Sequence, residues 1–367
     1  MDVQAGSASK SQIVPLWVGG IGGMEKELVG RAGFPYEEIP AAGLHGVGWK
    51  RIPGNLYQLG RGILAARKIL SRFQPDVIFF TGGFLAFPVA VAARTMLWKQ
   101  GRPHHLLYVP DIEPALALKV IARFADQIAV TTETTSRYYP VKKDIIVSGY
   151  PTRLEHQKWV RDPNRKQEAC RLLGLDCDTP IILVFGGSKG ARSINNAVLA
   201  NLMELLQVAQ IVHVTGNLDW EVLQTKINAL KENDSSGLLN RYHAYPYLHE
   251  EMSAALAAAD LAICRAGASV LGELPLFGLP AILVPYPHAW HYQQINAEYL
   301  AQHHAAIIID DHHLTDQLLS CVSEVMSHPE KLAAMRQAMK GLAKPEAAHT
   351  IAQCILELGQ HKGGVND

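Results

Sequence analysis

The feature that most constrains this chain is an alternation. Short apolar, β-branched runs recur between longer amphipathic stretches. Strand candidates are Ile13–Val18, Val77–Thr81, His105–Val109, Gln127–Thr131 and Asp144–Ser148, then Ile181–Phe185, Gln210–Thr215, Leu261–Cys264, Ala281–Pro285 and Ala306–Ile309. Between them the apolar spacing predicts helices at Leu56–Phe73, Ala115–Phe124, Ser193–Leu206, Trp220–Glu232, His249–Ala259, Ser269–Leu276 and His291–Gln302. Strands separated by helices imply βαβ units and parallel sheets, an α/β protein. At 367 residues the chain suits two such sheets. The linker falls at Gly149–Asp162, and the chain closes on helical segments Pro329–Leu342 and Glu346–Leu358.

Composition removes several classes. Thirty-four basic residues balance thirty-four acidic ones, so no net field draws the chain to nucleic acid. Only Cys170 and Cys177 of the five cysteines are close in sequence, and they form no CxxC. That is no disulfide framework or zinc site, and it suits a reducing compartment. The N-terminus is polar and lacks a signal-peptide apolar core. The apolar, uncharged stretch Val77–Ala93 is shorter than the ~20 residues of a spanning helix, and Gly82, Gly83 and Pro88 interrupt it. It reads as strand, glycine turn and helix.

Two segments carry the strongest chemical signal. In Val184-Phe185-Gly186-Gly187-Ser188-Lys189-Gly190-Ala191-Arg192-Ser193 a strand runs through a glycine turn into a helix. Glycines let backbone approach a phosphate, and the helix start offers N–H groups. It lacks the GxxxxGK[ST] pattern of a Walker loop, and a βα turn without a ligand is the plainer alternative. In Cys264-Arg265-Ala266-Gly267-Ala268-Ser269-Val270-Leu271-Gly272-Glu273 a second strand meets a helix through small residues. Glu273 sits where a carboxylate accepts from ribose hydroxyls, or else is a solvated helix glutamate. The polar run His288–Asn296 follows a third strand, at the end where open α/β sheets bind ligands.

Taken in order, GGSKGA, RAGASVLGE and GLPAILVPYPHAWHYQQINA resemble the donor half of the MurG glycosyltransferase family. The N-terminal half agrees: Gly22–Val29, Ala42-Gly43-Leu44-His45-Gly46, Thr81-Gly82-Gly83-Phe84 and Gly149-Tyr150-Pro151-Thr152-Arg153 are similar to its segments in the same order. The resemblance covers roughly residues 13 to 355. It implies two Rossmann-like doubly wound domains of the GT-B type with a nucleotide-sugar cleft. The expected division is residues 1–150 for an acceptor- and membrane-facing domain, 151–345 for a UDP-sugar domain, and 346–367 for a helix and tail. The implied donor site comprises Gly187, Ser188 and Gly190 at the diphosphate, Glu273 at the ribose, and Arg153 and Gln293 at the nucleotide sugar. Ala268, Ser269, Val270, Leu271 and Gly272 line it, and the turn at Leu248 clamps the uracil. Gly82, Gly83 and Phe84 face the acceptor.

The implied reaction is inverting transfer of N-acetylglucosamine from UDP-N-acetylglucosamine to a polyprenyl-pyrophosphate-linked muramyl-peptide, in peptidoglycan synthesis at the cytoplasmic face of the membrane. No cofactor or metal is expected. Alternatives are transfer to another lipid, and a non-catalytic nucleotide-sugar-binding protein. The second alternative follows from a departure. The family's first glycine loop ends in histidine, whereas here Gly19-Gly20-Ile21-Gly22-Gly23 is followed by Met24-Glu25. An incomplete N-terminal sheet and little transfer by this chain alone are therefore expected, with the missing strand and loop encoded upstream. In a second departure, Tyr108-Val109-Pro110-Asp111 replaces a His-Glu-Gln-Asn run, which leaves Asp111 as the acid–base candidate.

Other signals are weaker. Asp176-Cys177-Asp178 imitates a metal-binding DxD but reads as a surface turn before Thr179-Pro180. His303-His304 and His312-His313 read as solvated loops, since a metal needs converging ligands. Cys264 reads as a small buried hydrophobe. Around Trp49, Lys50 and Arg51, apolar and basic residues mix in a way that suits an anionic membrane surface or an ordinary amphipathic helix.

Overall fold

The computed structural model describes residues 13–23, 25–40, 52–83, 85–98, 101–187, 189–287 and 291–363. The chain divides into two compact units. The first holds residues 1–107, 116–126 and 357–367; the second holds 108–115 and 127–356.

In the first unit, β1 (Trp17–Gly20) and β2 (Tyr36–Ile39) pair in parallel with Trp17 opposite Tyr36. They form a two-stranded sheet that hydrogen-bonds to no further strand among the described residues. The first strand lies later than Ile13–Val18 because its register is set by β2, a strand the Tyr-Glu-Glu-Ile sequence does not advertise. β3 (Val77–Phe80) pairs in parallel with β4 (His104–Val109), Val77 opposite His104. The helix Ile52–Phe73 packs on the helix Ala86–Thr95. Gly62, in the first of these helices, lets the Pro40 carbonyl come close, since an added Cβ would lie 2.3 Å from that oxygen.

In the second unit, β5 (Gln127–Val130) pairs in parallel with β6 (Asp144–Val147). Six more strands follow: β7 (Ile181–Phe185), β8 (Gln210–Val214), β9 (Tyr242–Tyr245), β10 (Leu261–Cys264), β11 (Ala281–Leu283) and β12 (Ala306–Ile308). All six are parallel, in the order β12-β11-β10-β7-β8-β9. From β7 the chain builds outward through β8 and β9. It then returns to the other side of β7 with β10 and builds the opposite way. The reversal makes β7 and β10 a topological switch point, where loops at the carboxyl ends diverge and leave a crevice. Strands β7, β8 and β10 are buried throughout, as their β-branched, nearly charge-free sequences require.

One cysteine reading is corrected. Cys170 and Cys177 are joined in a disulfide, their Cα atoms 5.8 Å apart. Cys170 lies in the last turn of the helix Arg165–Leu173, and Gly174, with φ +67°, turns the chain back so that Cys177 meets it. One local bridge, not a framework, results. Cys264 is fully buried, as expected, and burial pushes its thiol far up.

Candidate functional site

The turn after β7 needs its glycines. Gly187 and Gly190 have φ of +89° and +77°, and Gly190 N donates to Gly187 O over 3.0 Å. A Cβ on Gly190 would lie 2.1 Å from Thr215 O, so the turn is locked against the end of β8. Among the described residues, a Cβ on Gly187 would meet nothing within 4 Å, which leaves that side of the turn open. The helix Arg192–Ala200 begins directly after it. Ser188 lies outside the described residues.

The neighbouring loop follows β10. Arg265 is tied into the scaffold: its guanidinium donates to Val284 O (3.1 Å), Ser193 Oγ (2.8 Å) and the Asp311 carboxylate, and lies over the Tyr286 ring. It thereby ties the end of β10 to the end of β11, to the start of the helix Arg192–Ala200 and to Asp311 beyond β12. Gly267 is open, since no atom of the described residues lies within 4 Å of an added Cβ, and Ala268 and Ser269 are half-buried beside it. Val270 and Leu271 are core residues at 2% and 5% exposure, so only their backbone can face a ligand. Gly272 is fixed by packing, because a Cβ there would lie 2.7 Å from Tyr150 Cβ.

Glu273 stands one turn into the helix Val270–Phe277. Its Oε1 lies 3.3 Å from His156 Nε2, and His156 Nδ1 lies 2.8 Å from Ser253 Oγ. His156 and Ser253 carried no sequence signal: their mutual separation is 97 residues and the histidine's from Glu273 is 117. Beside this group a cavity of about 210 Å³ is lined by Arg153, Glu155, His249, Glu250 and Ser253. Arg153 is exposed at the start of the helix Leu154–Arg161. Leu248, one residue before His249, is buried. Arg153, Ser253 and His249, the residue after Leu248, thus line one hollow, and Glu273 is linked to it through His156 and Ser253.

A third group lies on the helix Tyr292–Gln302. Gln293 Oε1 accepts from Tyr286 N over 2.9 Å, which holds the loop after β11. Asn296, fully buried, donates from Nδ2 to the Asp111 carboxylate (2.8 Å) and to Ala266 O (3.1 Å). Its Oδ1 accepts from Ile112 N over 3.2 Å. Asp111 is half-buried, and burial holds its carboxyl above the ordinary range, opposed by the Asn296 hydrogen bond. Asn296 was legible only as part of the polar run after β11.

Gly82 and Gly83, in the first unit, have φ of +115° and +79°. Phe84, Trp49, Lys50 and Arg51 lie outside the described residues. Asp176 accepts from Asp178 N (3.0 Å) and Thr179 Oγ1 (2.6 Å), which makes the DxD imitation a closed surface turn. The paired histidines 303–304 and 312–313 are exposed. No group of three or more His, Cys, Asp or Glu side chains converges as a metal site would among the described residues. No described helix is long and apolar enough to cross a membrane.

Comparison with known proteins bears on this geometry. Residues 181–351 match the glycosyltransferase family 28 C-terminal domain, and residues 8–105 its N-terminal domain. A protein of Roseiflexus sp. (strain RS-1) is 38% identical over 376 residues, covering 92% of this chain and 82% of its own. One of Desulforudis audaxviator is 37% identical, covering 94% and 90%. Both are named UDP-N-acetylglucosamine--N-acetylmuramyl-(pentapeptide) pyrophosphoryl-undecaprenol N-acetylglucosamine transferase. The chain belongs to the MurG family of glycosyltransferases. The crystal structure of Acinetobacter baumannii MurG superposes with a TM-score of 0.70 at 23% identity, over 93% of this chain and 90% of that one, which establishes the likeness of fold. The MurG-type, two-part α/β fold expected from the motifs is therefore the fold found.

Proposed function

We propose that this chain moves N-acetylglucosamine from UDP-N-acetylglucosamine to a muramyl-pentapeptide on a polyprenyl pyrophosphate, in peptidoglycan synthesis. The observation that carries the reading is the pair of loops at the carboxyl ends of β7 and β10: a glycine turn running into a helix after the first, and Glu273 one turn into the helix after the second. The names of the curated relatives support it. In this reading the hollow takes the uridine, Glu273 accepts from the ribose hydroxyls, and Gly187 and Gly190 present backbone to the diphosphate. Gln293 Nε2 and Ala268–Ser269 face the sugar. Asp111 takes the proton of the acceptor hydroxyl as that oxygen bonds to the anomeric carbon. The bond from that carbon to the diphosphate breaks, and UDP leaves with the electron pair. Backbone N–H groups and the dipole of the helix Arg192–Ala200 stabilise the leaving charge in place of a metal. The chain works as a peripheral protein on the cytoplasmic face of an anionic membrane.

The test is turnover of labelled UDP-N-acetylglucosamine with a short-chain lipid-linked muramyl-pentapeptide and, in parallel, diacylglycerol. Transfer to the first supports the reading, and transfer only to the second redirects it. Binding of the donor without any transfer would favour a nucleotide-sugar-binding protein.

A further inference from the structure

We infer that His156 is a positioning residue for the donor site: it fixes the Glu273 carboxylate and thereby sets how strongly the site distinguishes a ribose from a 2′-deoxyribose. The inference rests on the reading of Glu273 as the ribose ligand.

His156 lies where three helices of the second unit meet: its own Leu154–Arg161, the helix Glu251–Ala258 and the helix Val270–Phe277. It is 1% exposed, with its ring edge-on to Phe277 at 5.6 Å between centroids. A residue that only filled this space would be apolar, because burying an imidazole costs free energy unless its nitrogens are bonded. Both are. Ser253 Oγ stands at Nδ1 and Glu273 Oε1 at Nε2. An ionised Glu273 carboxylate only accepts, so the ring proton that faces it sits on Nε2, and in that neutral tautomer Nδ1 accepts from the Ser253 hydroxyl.

Two consequences follow. The carboxylate is held by one oxygen, and Oε2 remains as the acceptor for a ligand hydroxyl. Glu273 is also only partly buried, its side chain 18% exposed, so without this contact its rotamers compete. Since His156 is three residues from Arg153 on the same segment, the register that exposes the arginine also aims the imidazole. A mobile carboxylate would still attract ribose hydroxyls but would discriminate less sharply, because selectivity depends on how firmly the acceptor is preorganised.

The experiment is calorimetry on the full chain with UDP and with 2′-deoxy-UDP as probes. The parent should bind UDP about tenfold more tightly, on the order of one hydrogen bond to a charged group. His156→Phe, which keeps a ring but no donor, should reduce the ratio to below about threefold. His156→Gln, which can still donate to Glu273, should restore most of it. Ser253→Ala, which frees the tautomer, should give an intermediate ratio. A parent-like ratio in His156→Phe overturns the inference; if that variant does not fold, a parent-like ratio in Ser253→Ala does so. Failure of the underlying reading looks different: the parent itself would fail to distinguish the two probes.

Discussion

Asn296 holds Asp111 from the side, its amide donating to the carboxylate over 2.8 Å while the same side chain accepts from Ile112 N. Burial raises the Asp111 carboxyl, and this contact lowers it. A base must be ionised, so kcat should fall as pH drops through the Asp111 pKa. That acid limb should lie above the ~4 of an exposed aspartate. Asn296→Ala removes the lowering contact and should move the limb to higher pH. A limb that does not move in the variant's pH–rate profile would place the base elsewhere.

Asp111→Asn should lower kcat by roughly 10²–10⁴, the usual contribution of a general base. The donor KM should change by less than about threefold. Steady-state kinetics measure both, and an unchanged kcat removes Asp111 from the chemistry.

Glu273→Ala should weaken UDP-N-acetylglucosamine binding by about 1.5–3 kcal/mol, the scale of a charged hydrogen bond. Calorimetry reads this directly. Parent-like affinity would mean that the carboxylate serves only its helix.

Turnover should survive EDTA, because in the proposed reading the glycine turn and the helix start behind it take the place of a metal at the diphosphate. A tenfold loss restored by magnesium or manganese would reverse this expectation.

His105 is fully buried in β4 with Phe80 edge-on, and burial lowers its imidazole to about 4. The unfolded chain takes up that proton near pH 6.5, whereas the folded chain resists until about 4. Stability is therefore full above about 6.5 and is lost as pH falls through this window, by up to about 1.4 kcal/mol per unit. His105→Leu should flatten the dependence, so its melting temperature should gain on the parent's at pH 5 relative to pH 8. Parallel curves would show that the histidine carries no linked proton.

The parts of this molecule that were legible in the sequence are those specified locally. Ile181–Phe185 followed by glycines declares a buried strand and a turn, and both appear as read. β2 and β9 were missed because Tyr-Glu-Glu-Ile and Tyr-His-Ala-Tyr are polar edge strands whose pairing, not their composition, makes them strands. Glu273 was visible through its motif. His156 was not, since a single histidine acquires meaning only when chain segments about a hundred residues away arrive beside it.

The strand order also dictates when the proposed donor site comes into being. β7 carries the glycine turn, but its partner on that side is β10, joined where Ile181 N donates to Asp260 Oδ2 across 79 residues of chain. A ribosome adding about 5–20 residues per second takes several seconds to supply that partner. Through that interval the emerging chain holds the glycine turn beside an open strand edge. Affinity for UDP should therefore appear abruptly during synthesis, after β10 and Glu273 have emerged, making nucleotide binding a clock for the joining of β10 to β7.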